Sequence, residues 1–98
     1  MQVNHQRVFY ALASVPRRQI LAFLSQTALS TADLAERFRM TRPAVSRHLS
    51  VLLRAGLVAG ERQGQRVLYR LKRDALLEAL ARFASEVDGP LRTPRNAL

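Results

Sequence analysis

Arginine dominates the side chains of this sequence that could do chemistry. Fifteen of the sixteen cationic residues are arginine, Lys72 is the one lysine, and seven carboxylates oppose them, for a formal net charge of +9. The planar guanidinium fork grips phosphate and guanine edges bidentately. The pI of about 11.7 exceeds the level that marks a nucleic-acid footprint. The charge is also concentrated: residues 1–38 carry four basic and two acidic side chains, residues 39–73 nine and one, and residues 74–98 three and four. A segment of net +8 repels itself unless an anionic partner compensates.

Catalysis finds no such inventory. Cysteine is absent, which removes thiol nucleophiles, thiolate metal sites and disulfides together, and His5 and His48 are the only histidines. No glycine-rich phosphate cradle is present. Four of the carboxylates, Asp74, Glu78, Glu86 and Asp88, fall on one C-terminal stretch of helical period, where a solvated face explains them better than a paired acid and base. An enzyme is not expected, and neither a cofactor nor a catalytic site.

The elements that must position the arginines follow from period and punctuation. Ninety-eight residues allow one domain, and a chain this short leaves roughly 40% of its unfolded-state surface exposed. Val8, Phe9 and Leu12 mark a short first helix that stops near Ser14-Val15-Pro16. Pro16 suits the first turn of a second helix with Ile20, Leu21 and Leu24 on its apolar stripe. Arg17 and Arg18 then stand at the positive end of that helix dipole, a conflict that a nearby anion would relieve. Ser30 and Asp33 resemble a capping box for a third helix through Leu34, Ala35 and Phe38. After the turn Arg39-Met40-Thr41, Thr41 offers an N-cap, and Val45, Leu49, Leu52 and Leu53 give a fourth helix one apolar face, closed by Gly56. Short helix, three-residue turn and longer helix make a helix-turn-helix.

Beyond Gly56 the period becomes two. Leu57-Val58-Ala59 and Val67 to Leu71 read as strands around Gln63-Gly64-Gln65, a protruding hairpin. The helical period returns from about Arg73 with Leu76, Leu80, Phe83 and Val87 on one stripe, and ends near Gly89-Pro90. The expected architecture is mainly α with a small β-hairpin, in the order ααααββα, with a folded domain over 1–89 and a frayed tail over 90–98. No stretch approaches the length of a membrane span, so a soluble cytoplasmic protein is the expectation.

With its apolar stripe turned inward, the fourth helix presents Arg47, Ser50 and Arg54 to solvent, Ser46 at the flank, and Thr41, Arg42 and Pro43 at its N-terminal end, the end that enters a major groove. Arg47 can reach guanine O6 and N7, Ser46 a base or phosphate, and Ala44 a thymine methyl, while Arg42 suits phosphate. The hairpin tip adds Arg62, Gln63, Gln65 and Arg66. His48, at the edge of the stripe, fits either a partly buried structural role or a DNA contact.

Taken together, Ala11-Leu12-Ala13 through Arg17-Arg18-Gln19-Ile20-Leu21, Asp33-Leu34-Ala35, the run P-A-V-S-R-H-L at 43–49, L-x-x-A-G-L-V behind it and Arg66 to Leu71 resemble the ArsR-type winged-helix repressors over about residues 8–85. The proline of the family's usual D-P-T turn stands one place later here. The resemblance implies a homodimer through the first and last helices, which would draw on Phe9, Leu12, Leu76, Leu80, Phe83 and Val87. It also implies a recognition helix at about 42–54, a wing at about 57–71, and repression by occupying a promoter operator on double-stranded DNA. A two-fold dimer would read an inverted repeat with half-sites about 34 Å or a small multiple apart. Metal-responsive members carry paired cysteines where this chain has Ser30 and Ala32, or Asp and His pairs on the last helix, and this chain has no histidine after His48. No metal site and no metal sensing are therefore expected, and the effector or partner protein that relieves repression is not legible. The competing reading is a winged-helix protein-interaction module whose apolar last helix binds another protein. RNA binding is weaker, because aromatic stacking platforms are scarce at 6% aromatic residues.

Overall fold

The computed structural model of the chain describes residues 5–88; the expected tail at 90–98 lies outside the described residues. The elements are α1 (His5–Leu12), α2 (Val15–Leu24), α3 (Thr31–Phe38), α4 (Arg42–Arg54), β1 (Val58–Gln63), β2 (Arg66–Leu71) and α5 (Arg73–Asp88). Their order is the expected one. Local chemistry explains the boundaries: Ser14 caps α2 and accepts from Arg17 N, and Pro16 lies in its first turn. At α3 the capping box is complete, with Asp33 N donating to Ser30 Oγ at 3.1 Å and Ser30 N donating to Asp33 Oδ2 at 3.0 Å. Thr41 Oγ1 accepts from Ala44 N at 3.2 Å to start α4.

Val8, Ala11, Ile20, Leu21, Leu24, Leu34, Val45, Leu49, Leu52, Leu57 and Ala79 form the core. Two positions of the expected stripes move. Leu53 is exposed, because one turn after Leu49 the buried slot is taken by Leu52 and then Ala55; in α1 the core position is Ala11, and Phe9 turns outward. In α5 only Ala79 is fully buried. Leu76 is half-buried, whereas Leu77, Leu80, Phe83 and Val87 are exposed.

The turn of the helix-turn-helix holds Arg39 at φ 54°, ψ 41°, a left-handed position that a glycine usually fills. Its amide closes α3, and Met40 N donates to Ala35 O at 3.0 Å.

β1 and β2 pair antiparallel from Val58 with Leu71 to Gln63 with Arg66. The turn is therefore Gly64-Gln65 alone, with Gly64 at φ +65°, and Gln63 belongs to the ladder instead of the loop. Leu29, between α2 and α3, exchanges two backbone hydrogen bonds with Tyr69: Leu29 N to Tyr69 O at 3.0 Å and Tyr69 N to Leu29 O at 2.8 Å. Lys72 N donates to Leu57 O at 2.8 Å and fastens the hairpin's base.

The conflict at the start of α2 is resolved within the chain. Arg17 Nε donates to Ala11 O at 2.8 Å and its Nη2 to Tyr10 O at 3.0 Å; Arg18 Nη1 donates to Leu12 O at 2.5 Å. The anion expected there is the negative end of the α1 dipole, three terminal carbonyls that lack intrahelical partners. Arg17 also lies 5.1 Å over the Tyr10 ring.

Candidate nucleic-acid interface

The site is built from α4 and the hairpin. Burial of Val45, Leu49 and Leu52 turns the opposite side of α4 outward, so that Thr41, Arg42, Pro43, Ser46, Arg47 and Arg54 are exposed, with Ala44 and Ser50 half-buried at the edges. Ser50 is thus less open than its spacing suggests. Among the described residues no hydrogen bond or ion pair holds Arg42, Arg47 or Arg54, and their guanidinium donors are free to meet an anion. Thr41 accepts through its hydroxyl oxygen as the cap, which leaves its O–H proton to donate outward.

Arg62, Gln63, Gln65 and Arg66 are all exposed at the hairpin tip. Arg62 Nη1 reaches the Gly64 carbonyl at 3.4 Å. Arg66 differs from it: its Nη2 meets Asp33 Oδ2 at 2.9 Å, so the oxygen that completes the α3 capping box also holds the hairpin. The Ser30 amide and hydroxyl, and then the Arg66 and Arg37 guanidiniums, keep the Asp33 carboxyl below its ordinary range. A groove of about 550 Å³ runs between the start of α3, Arg42 and the hairpin, with Asp33, Arg42 and Arg66 on its walls. Sequence reasoning missed this pairing, because the two residues stand 33 apart and their elements meet only in the folded chain, where Leu29 bridges to Tyr69 and α3 packs beside β2.

His48 is half-buried beside this surface. Burial, and then the charges of Arg17 and Arg47, lower its pKa and favour the neutral ring.

A second surface lies away from α4. Phe9 of α1 and Phe83 of α5 meet edge-on at 5.4 Å, and Leu80, Phe83 and Val87 extend an exposed apolar strip along α5, with Leu12 and Leu76 half-buried beside it. Among the described residues no three His, Asp or Glu side chains converge as a metal set, and no helix is long and apolar enough to cross a membrane.

Residues 14–59 match the family model for bacterial regulatory proteins of the arsR family. The chain is 33% identical over 73 residues to the transcriptional repressor SdpR of Bacillus subtilis, covering 74% of this chain and 81% of that one. It spans only about half of some Mycobacterium tuberculosis relatives, 45% of the HTH-type transcriptional repressor SmtB at 41% identity. Among solved structures, an ArsR-like transcriptional regulator from Rhodococcus sp. RHA1 superposes with a TM-score of 0.77 at 31% identity, over 86% of this chain and 78% of that chain. The homodimeric winged helix-turn-helix DNA-binding domain of Mb0332 from Mycobacterium bovis, described as a possible ArsR-family regulator, gives 0.70 at 31% identity over 89% and 81%. With α3 and α4 as its helix-turn-helix and β1–β2 as its wing, the chain belongs to the ArsR family of bacterial regulatory proteins and is a winged-helix transcriptional regulator, not an enzyme.

Proposed function

We propose that the protein is a dimeric, cytoplasmic repressor that occupies an inverted-repeat promoter operator and needs no metal to do so. The observation that carries this reading is the arginine face of α4: Arg42, Arg47 and Arg54 stand exposed beside the wing, and among the described residues none of the three is held in an ion pair. Thr41, Arg42 and the wing residues Arg62, Gln63, Gln65 and Arg66 grip the backbone, while Ala44, Ser46, Arg47 and Ser50, behind Pro43, read base edges. Repression is supported by the similarity to SdpR. A homodimer through Phe9, Leu12, Leu76, Leu80, Phe83 and Val87 is supported by the exposed α1–α5 strip and by the homodimeric neighbour. Independence from metal is supported by the donor chemistry, since thiolates are absent and His5 and His48 stand far apart in sequence.

The test is binding to DNA from the protein's own upstream region against scrambled DNA of equal length, at several salt concentrations. Preference for the promoter of roughly a thousandfold or more is expected, and Arg47→Ala should cost about 1–3 kcal/mol on the specific site while leaving scrambled DNA little affected. Equal, steeply salt-dependent binding to both DNAs would refute specific recognition there, and an unchanged Arg47→Ala affinity would refute the assigned reader. The exposed α5 strip also suits a foreign protein, the second reading; a monomer in sedimentation would favour it.

A further inference from the structure

Asp33 is the one carboxylate on the groove that runs between the start of α3, Arg42 and the hairpin, and the two arginines on that groove differ in state. Among the described residues Arg42 is held in no ion pair, whereas Arg66 Nη2 lies 2.9 Å from Asp33 Oδ2. The backbone sets this pair side by side, since Leu29, just before α3, bridges to Tyr69 on the strand that Arg66 begins. Asp33 does not need the guanidinium to stay in place. The same oxygen accepts from Ser30 N at 3.0 Å, and Asp33 N donates to Ser30 Oγ, so the capping box persists when Arg66 leaves. Arg66 is equally ready to leave: its side chain is 61% exposed and that of Asp33 37%, and an ion pair this open holds its partners only a few-fold better than water does.

We propose that Asp33 is a further functional residue of the DNA interface, an internal stand-in for phosphate that occupies Arg66 in the free protein and yields it to the DNA backbone on binding. Carboxylate and phosphate offer a guanidinium the same kind of charged oxygens, so either satisfies Arg66. The exchange breaks one exposed ion pair and leaves a carboxylate facing the incoming backbone. Both effects oppose binding, and neither involves a base, so Asp33 lowers the affinity of the wing for DNA of any sequence. Arg62 provides the contrast: it makes only a 3.4 Å contact with the Gly64 carbonyl and, among the described residues, meets no acid. The hairpin tip thus carries one arginine ready for phosphate and one that must first be released. In a chain of net charge +9 this restraint limits capture by DNA at large, where binding is almost wholly attraction between cations and phosphates. The inference rests on the proposed function, in that the wing must grip the DNA backbone.

The test measures binding of the full chain to a labelled scrambled duplex by fluorescence anisotropy at several salt concentrations. Asp33→Asn keeps a carbonyl oxygen for the Ser30 amide, and Asp33→Gln does so with a residue common at this capping-box position; thermal melts check that each variant keeps its fold. Either is expected to tighten binding by about threefold or more at low salt and to steepen the slope of log affinity against log salt by up to about one unit, because Arg66 then meets phosphate with nothing to give up. In an Arg66→Ala background the same substitution should change little. Glu61→Gln, an equal change of charge on the neighbouring strand, should bring no gain that depends on Arg66. Unchanged or weaker binding by the folded Asp33 variants would overturn the proposal, the weaker result marking Asp33 as a brace for the wing. So would tightening of equal size without Arg66, which is repulsion alone. A salt slope flattened as much by Arg66→Ala as by Arg62→Ala, a comparison that leaves α3 untouched, would overturn it as well. If neither arginine variant alters the slope, the wing does not meet DNA and the functional reading fails too; a slope flattened by Arg62→Ala with no gain from Asp33→Asn indicts the proposal alone.

Discussion

Replacing Arg17 by methionine keeps an aliphatic stem and deletes the guanidinium that ties α2 to the end of α1. Two effects then compete. Hydrogen bonds from a charged donor contribute about 1.5–3 kcal/mol each when well sheltered. The bond to Ala11 O is partly buried at 2.8 Å and the bond to Tyr10 O is exposed at 3.0 Å, so the second falls at or below the lower end. Stacking over Tyr10 adds about 0.5 kcal/mol. Against this, removing a cation from the positive end of α2 returns about 0.3–1 kcal/mol. The clasp wins, with a net loss of about 2 kcal/mol, which for a chain of this size lowers Tm by roughly 8–16 °C. Far-UV circular dichroism melts at one fixed protein concentration check it, since dimerisation would otherwise shift Tm. NMR titration of His48 supplies a second readout: with the Arg17 charge gone, its pKa moves up toward the ordinary value. An unchanged or raised Tm, with His48 still shifted, would show that dipole repulsion outweighs the clasp and would refute the reasoning.

Arg39→Gly should stabilise the protein by about 0.5–1 kcal/mol, because relief of left-handed backbone strain exceeds glycine's extra chain entropy; urea unfolding checks it, with Arg39→Ala near neutral as the control. His48 and Asp33 both have folded pKa values below their unfolded ones. The stability each contributes is therefore full above the unfolded value and declines as pH falls, from about 6.5 for His48 and again from about 3.9 for Asp33. Unfolding midpoints measured from pH 8 to pH 3 should show both steps, and His48→Gln should remove only the first. Phe83→Asp places a charge on an exposed site beside Phe9, so sedimentation should show a folded monomer. Arg62→Ala should flatten the slope of log affinity against log salt by about one unit, and Arg66→Ala by less, because Asp33 already neutralises part of the Arg66 charge.

Much of the fold was legible because short-range chemistry marks it. Pro16, Ser30 with Asp33, and Thr41 each announce a helix start by chemistry local to the first turn, and Gly64 announces the hairpin turn, whereas the Ser14 cap of α2 emerged only in the structure. What stayed hidden depends on contacts distant in sequence or on groups that every residue carries. Arg17 and Arg18 looked misplaced until the end of α1 arrived beside them. Arg39 gave no glycine signal for its left-handed turn. Leu53 fits the helical period but lies past the edge of the core, where Leu52 and Ala55 fill the space. At the candidate site, exposure of Arg42, Arg47 and Arg54 followed from the stripe they oppose, whereas the capture of Arg66 by Asp33 could not be read from spacing.

The joint between Leu29 and Tyr69 consists of two backbone hydrogen bonds. Every amino acid except proline supplies the same donor and acceptor there, so the pairing does not depend on which side chains stand at its two ends. Mutation can thus vary Arg62, Gln63 and Gln65 while Gly64 keeps the turn at φ +65° and the base of the hairpin stays moored. Lineages that share this joint can retune the charge of the hairpin tip by exchanging Arg62, Gln63 or Gln65, with no need to re-evolve the spacing between the hairpin and α4.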